Sequence, residues 1–523
     1  MNILVKNERG STLVVVMLMI LVFTVLGLSI LSTSIGGAKR TEIREDQVTD
    51  DLDSIRALGE AVAYIKKTID TEFNLPFGNP DMSVSTYHHN IIEAKLIHNP
   101  YGYRIENISD DREYNIKEDE DYTRVLKVSS GKYEQIVYIT GMPSFLKYAI
   151  GSREILTLNG STYVEKGNIY AKEKLVISNQ AKYIYKGVHG IEPTTFPSVN
   201  EENEHQLFIE GNDIEYCPNN CYSAEETITS SFHPLPGEQI ERAFYPTAPT
   251  VSKEESEYVG VDIEKTFKEK LKTAGFLSNH IDPFPLEINE IIAEGLNSPA
   301  VEVVSSFENL NQSPTIKSYL HLGEDEKEVY IDTNRLVIDD KSKWIVIDGS
   351  GIIESVGNDV MEISANILIT GDLTIRGDIA FDSTIYVLGN TTINNVDIRG
   401  FNKSELILMT KGQLEIARIN KFLDQVNTIH AYLYTHEDAE LYAVGSYLRV
   451  EGGIFAHGNL EINAYRGKAK ENGHAIEFGK GLENKPAESR LVIKNDKRLF
   501  LNQAQGLPKI DRLEVMTDLM RKE

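Results

Sequence analysis

The chain has 523 residues, 41 % of them apolar, which is ample for several cored domains. It carries 79 Asp and Glu against 53 Lys and Arg, a formal charge of −26, and no segregated basic stretch, which argues against a nucleic-acid partner. Two cysteines exclude a disulfide-scaffold protein and a four-thiolate zinc site.

Gly10 to Ala38 contains no charge, and Leu13 to Leu31 is apolar except at Thr24, Gly27 and Ser29. At helical rise that apolar run reaches about 28 Å, close to a bilayer's hydrocarbon thickness, so a membrane helix is predicted. Two other readings stand beside it: a buried helix of a soluble fold, and a cleaved signal peptide, for which Ser34, Gly36 and Ala38 supply small residues. Lys6 and Arg9 precede the run and Lys39, Arg40 and Arg44 follow it, so flanking charge leaves orientation open. The large acidic tail favours an extracellular C-terminal part.

Beyond the apolar run, Val48, Leu52, Ile55, Leu58, Val62, Ile65 and Ile69 recur at three- and four-residue steps among charged neighbours. Pro76 and Pro80 stop the pattern. One helix is therefore expected from Ser11 to Asp70, about 90 Å long, with a kink point at Gly36 and Gly37.

The string Glu8-Arg9-Gly10-Ser11-Thr12-Leu13-Val14-Val15-Val16, with Thr24-Val25-Leu26-Gly27 further in, resembles the amino terminus of the PilX-type minor pilins, a family of type IV pilin-like proteins. The resemblance implies a short basic leader ending at Gly10, cut by a prepilin peptidase to leave Ser11 as the new terminus. It also implies other pilin-like subunits, the pilus assembly machinery and membrane lipid as partners. Leu13, Val16, Ile20, Val48, Leu52, Ile55, Leu58 and Val62 would then form the face that packs against neighbouring helices. Val15 stands where major pilins carry glutamate, and Ser11 where they carry an aromatic residue or Met. A minor or tip subunit tolerates those departures better than a major one.

Arg124-Val125-Leu126-Lys127-Val128, the turn Ser129-Ser130-Gly131-Lys132 and the alternating run Tyr133 to Thr140 predict a hairpin. It belongs either to a small β headgroup over residues 76–150 or to the domain that follows. Eleven of the 17 prolines lie between Ile191 and Pro314, and residues 201–330 hold 26 Asp and Glu against 8 Lys and Arg. An acidic, loop-rich insertion is expected over residues 191–325, with short helices at Asp262 to Ala274 and Glu287 to Leu296. Cys217 and Cys221, in Cys-Pro-Asn-Asn-Cys, have no nearby His and do not make a Cys-x-x-Cys pair. A disulfide-closed loop is expected, with a reduced structural pair as the alternative.

From Thr315 to Lys485 there is no proline, and short β-branched runs are broken by Gly, Asn and Asp. Asn366 to Ile375, Thr384 to Ile393 and Glu405 to Ile416 each read as strand, Gly-containing corner, strand. Ile369, Val387 and Met409 correspond, 18 and 22 residues apart. That spacing suits stacked rungs, each too short to bury its own apolar face. Leu448 to Ile462 and Leu156 to Ser178 have the same texture. The fold class expected is mainly β with a long amino-terminal helix, a small β headgroup and a right-handed parallel β-helix. An antiparallel sandwich is the alternative. The boundaries read as leader 1–10, helix 11–75, headgroup 76–150, first rungs 151–190, insertion 191–325, solenoid 326–500 and tail 501–523.

No motif for chemistry stands out. Gly349-Ser350-Gly351-Ile352-Ile353-Glu354 follows a strand like a dinucleotide loop, but lacks the third glycine and runs on into strand-like residues. His430 and His436 beside Glu437 and Asp438 are the best metal-like group. Asp348, Asp359, Asp372, Asp378 and Asp382 could supply the carboxylates of a polysaccharide-cleaving enzyme, although Asp372 and Asp378 follow Gly as turn residues do. The expectation is a structural protein without catalytic residues, metal or cofactor, and the alternative is a membrane-anchored β-helix enzyme acting on surface polysaccharide.

Overall fold

The computed structural model describes residues 9–522 apart from 75–83, 117–122, 253–259, 417–425, 496–505 and shorter gaps. A single helix, Arg9–Ile69, opens the chain and runs through Gly37 without interruption before a π-helical end at Asp70–Asn74. Its last turns lie on an antiparallel sheet formed by Arg104–Asn107, Arg124–Ser130, Tyr133–Thr140 and Glu514–Thr517. Alternation along the strands divides that sheet's two faces. Leu126, Val128, Val137 and Ile139 pack with Leu58, Ala61, Ile65 and Ile69 of the helix. Val125, Tyr138 and Met516 face the other way, toward the rest of the molecule.

Among the described residues, 28 strands join in one further system, almost entirely parallel. It has three faces. In the first, Ile345, Ile367, Ile385, Leu408, Leu433 and Ile454 lie each on the next. In the second, Ile353, Ile375, Ile393, Ile416, Leu441 and Ile462 do the same. The third carries Ile363, Phe381, Ile379, Ile398, Ile429, Val450 and Ile493. All of these side chains point into one core. Parallel pairing between successive layers rules out the antiparallel sandwich. Ile369 lies on Val387, whereas Val387 lies on Thr410 rather than Met409. The residue expected at that core position, Met409, instead points outward with Tyr386, because a one-residue slip moves a strand's side chains to the opposite face.

The route of the chain departs from sequence order. Tyr148–Ser152 and Ile155–Gly160 do not begin the stack. They pair with Tyr447–Ala456 and Leu460–Ala464, through Ile150 on Ile454 and Leu158 on Ile462. From there Asn168–Ala171, Gln206–Ile209 and Thr250–Ser252 extend it outward. Two helices, Ile263–Thr273 and Ile288–Gly295, then cross the outer side of the first face. Phe267, Leu271, Ile291 and Ile292 pack there against Trp344, Val346, Leu368 and Tyr386. The chain rejoins the stack at Val301–Val303 and winds back to the seam.

Residues 191–325 are therefore not an insertion outside the stack. Their strands are two to five residues long and separated by proline-bearing turns, which hides them from period-based reading. Likewise residues 514–517, in the expected tail, pair with residues 137–140 in the headgroup sheet. Loops close both ends of the core: Leu235, Ile240 and Phe244 at one, Phe307 at the other. Such covers keep the last layers of a stacked fold from exposing their apolar interior.

Candidate functional site

The long helix is the most distinctive feature at hand, and its two halves have different surroundings. Among the described residues it is the one helix long and apolar enough to cross a membrane. The hydroxyls within the apolar run are internally satisfied. Thr24 donates to the Ile20 carbonyl at 2.9 Å and Ser29 to that of Val25 at 2.9 Å, so neither carries an unmade hydrogen bond into an apolar medium. Leu13, Val16, Ile20, Val48, Leu52 and Ile55 are all exposed. Leu58 is buried and Val62 half-buried, both against the headgroup's own sheet. The face predicted for packing on other subunits thus divides after Ile55, since the last turns are occupied within the chain. Gly10 and Ser11 fall in the first turn of the helix; residues 1–8 of the expected leader lie outside the described residues.

C-terminal residues hold the helix. Asn74 and Leu513 exchange two hydrogen bonds, the Asn74 amide donating to the Leu513 carbonyl and the Leu513 N–H to Asn74 Oδ1, each 2.8 Å. Lys522 meets Asp51 at 2.6 Å, and Tyr64 donates to the Lys95 carbonyl at 2.9 Å. Below the sheet, Lys147 pairs with Glu514 at 2.6 Å, with only 11 % and 7 % of their side chains exposed. This buried pair ties the headgroup sheet to the segment that enters the stack. No sequence signal marked it, because its partners lie 367 positions apart.

Cys217 and Cys221 are joined by a disulfide at the end of strand Asp213–Cys217. The loop packs with Tyr222, and the Cys221 N–H donates to Gln180 at 2.7 Å. It belongs to the stack's edge rather than to a redox site.

The five aspartates proposed for carbohydrate chemistry are spread over the stack. Asp348 accepts from the Thr370 hydroxyl at 3.1 Å, and Asp372 from the Asn390 N–H at 2.7 Å. Ser364 donates to Asp382 at 3.1 Å, Asp378 lies 4.0 Å from Arg399, and Asp359 is exposed. At these corners Asp372 thus bonds the backbone of the next layer, whereas Asp348 and Asp382 accept from hydroxyls of neighbouring layers and Asp378 faces an arginine. Gly349-Ser350-Gly351 is such a corner. Gly349 has φ 137°, and the strand Gly351–Glu354 follows it where a phosphate-binding turn would open a helix.

His430 lies midway along strand Val426–Thr435 and His436 directly past its end. Among the described residues no three His, Cys, Asp or Glu side chains converge to hold a metal ion, so His430, His436, Glu437 and Asp438 do not form such a group. His430 instead sits 3.4 Å from both Glu405 and Glu451. Its hydrogen bond to Glu405 raises its pKa, against the opposing effect of burial. A raised folded-state value means that the stabilisation is fully present below about pH 6.5 and lost as pH climbs through the folded value. His205 is the reverse case. Burial depresses its pKa, outweighing a bond to the Gly167 carbonyl, so its contribution is full above about pH 6.5 and lost as pH falls. In melting curves from pH 5 to 9, His430→Gln should flatten the alkaline decline and His205→Gln the acid one. Superimposable wild-type and variant profiles would refute both assignments.

No family model matches the chain, and no curated protein sequence matches it. One solved structure with a measurable likeness is the competence-associated pilin ComZ from Thermus thermophilus, at 12 % identity and a TM-score of 0.21, covering 77 % of this chain and 81 % of that one. A score so low carries no argument about this protein.

Proposed function

We propose that the chain is a structural, minor-pilin-like subunit, anchored by one membrane pass and belonging to a type IV pilus or related secretion filament. In this reading it displays an extracellular β-solenoid for assembly or adhesion. The PilX-type resemblance of residues 8–27 motivates it, and one observation carries it: a continuous helix whose apolar first part is exposed while its last turns are built into an antiparallel sheet. A helix so divided has a free apolar surface for lipid or for neighbouring helices, and a head that stays folded during transfer between them. The partners in this reading are prepilin peptidase, other pilin-like subunits and membrane lipid.

Intact-mass and amino-terminal analysis of the protein from membranes, with and without prepilin peptidase, tests the reading. Cleavage between Gly10 and Ser11 that depends on the peptidase supports it. An uncut chain would make the helix a plain anchor, and cutting near Ala38 would make the protein secreted; either result overturns the filament role.

A further inference from the structure

Along the third face the backbone ladder has a weak joint. Val396 to Gly400 pair with Gly377 to Phe381 on one side, and Val426 to His430 pair with Tyr447 to Glu451 on the other. Between these two blocks, among the described residues, Ile398 on Ile429 is the single pair in register. Asp397 stands in for the ladder beside it, its carboxylate accepting from the Thr428 N–H at 3.1 Å. At the same level the other two faces are continuous, since Ser383 to Val387 pair with Leu406 to Thr410 and Thr391 to Ile393 with Leu414 to Ile416.

His430 sits at the edge of this joint, between two carboxylates from different layers. Glu405 precedes Leu406 as His430 precedes Ala431, the residue paired with Leu406, and on the other side Glu451 is the register partner of His430. The imidazole Nδ1 is 3.4 Å from each carboxylate. Glu405 is nearly covered, with 4 % of its side chain exposed against 28 % for His430. The remaining charges nearby are engaged with one another. Arg399 meets Asp397 at 2.8 Å and lies 4.0 Å from Asp378. Arg449 bonds Glu451 at 2.8 Å and also meets Glu165 across the seam, while Lys494 is the register partner of Glu451. An imidazolium attracts both flanking carboxylates, whereas a neutral ring carries no charge to hold them together. The bond to Glu405, with the charges of Glu405, Glu451 and Asp397, favours the protonated ring against burial.

We propose that Glu405, His430 and Glu451 form a proton-operated clasp on this joint, closed while the imidazole is charged and released when it is neutral. Release leaves two carboxylates facing one another where the ladder is thinnest. The opening is therefore local: residues 396–400 and 426–430 part while the first and second faces stay paired. An open joint bares strand edges, which are templates for pairing with another chain, and alkaline surroundings are the condition that opens it. The inference goes beyond the display role proposed above and does not rest on it, so failure here leaves the processing experiment to judge the filament reading.

Hydrogen exchange of the full-length protein in detergent, read by mass spectrometry from about pH 6 to about pH 9 with labelling times scaled to the intrinsic exchange rate, tests the clasp. Protection of residues 396–400 and 426–430 should fall about tenfold or more across that range. Peptides over Asn366–Ile369 and Leu460–Ala464 should keep theirs. His430→Gln should show the low protection at both ends of the range, and His430→Arg, whose charge persists, the high protection at both. If His430→Gln misfolds by thermal melt, the His430→Arg profile against wild type decides. A wild-type profile without pH dependence in the two segments, the same decline in either variant, or equal loss in the two control peptides would each overturn the proposal.

Discussion

Lys147→Met is expected to destabilise the full chain by about 3–5 kcal/mol, because it strands the Glu514 carboxylate in a buried setting. The pair lies at 2.6 Å and Ser144 adds a hydrogen bond to the same carboxylate at 3.1 Å, so one loss leaves an acceptor with a single neutral partner. The double replacement Lys147→Met/Glu514→Leu should restore most of that stability, since the cost lies in the unpaired charge and not in the absence of a salt bridge. Thermal unfolding in detergent checks both, with Trp344 as a probe because it sits in the packed layer between the crossing helices and the stack. A single variant melting like wild type would mean that water reaches the pair.

Deleting residues 512–523 is expected to release the head of the long helix while sparing the stack. The deletion removes the reciprocal Asn74–Leu513 bonds, the edge strand Glu514–Thr517, the partner of Lys147 and the Lys522–Asp51 contact. The seam on which the parallel layers depend, Ile150 on Ile454 and Leu158 on Ile462, remains. Limited proteolysis should then cut within residues 58–74, whose apolar face, Leu58, Ala61, Ile65, Ile69 and Phe73, the intact chain packs on the sheet, while a protected fragment covering the stack survives. Unchanged protection of the helix end would show that the remaining three strands suffice to hold it.

The local texture of the chain was legible and its long-range order was not. Runs such as Asn366 to Ile369 and Ser383 to Val387 advertise strands through β-branched residues and Gly-bearing corners, so the parallel layers after Thr315 could be read from composition and spacing. The helix was legible from its apolar run and the stripe beyond it. What a sequence does not carry is the identity of a strand's neighbour when that neighbour is remote. Nothing near Ile150 points to Ile454, and nothing near Glu514 points to Thr140. The Met409 slip arose where successive hydrophobics, Leu406 to Met409, offer no alternation to choose a face.

That seam bears on how the chain reaches its final state. Residues 148–252 leave the ribosome early, yet the surface on which they are laid belongs to residues 447–494, so Ser152 must wait for Gly458, 306 positions later, to make its bond. Layers made last act as template for layers made first, and the crossing helices between them have to span the gap before either half is complete. Contacts of such sequence separation are slow to form and leave strand edges open meanwhile. Maturation of this protein is therefore a closing event rather than a progressive one, and its vulnerable period lasts until nearly the whole chain has been delivered.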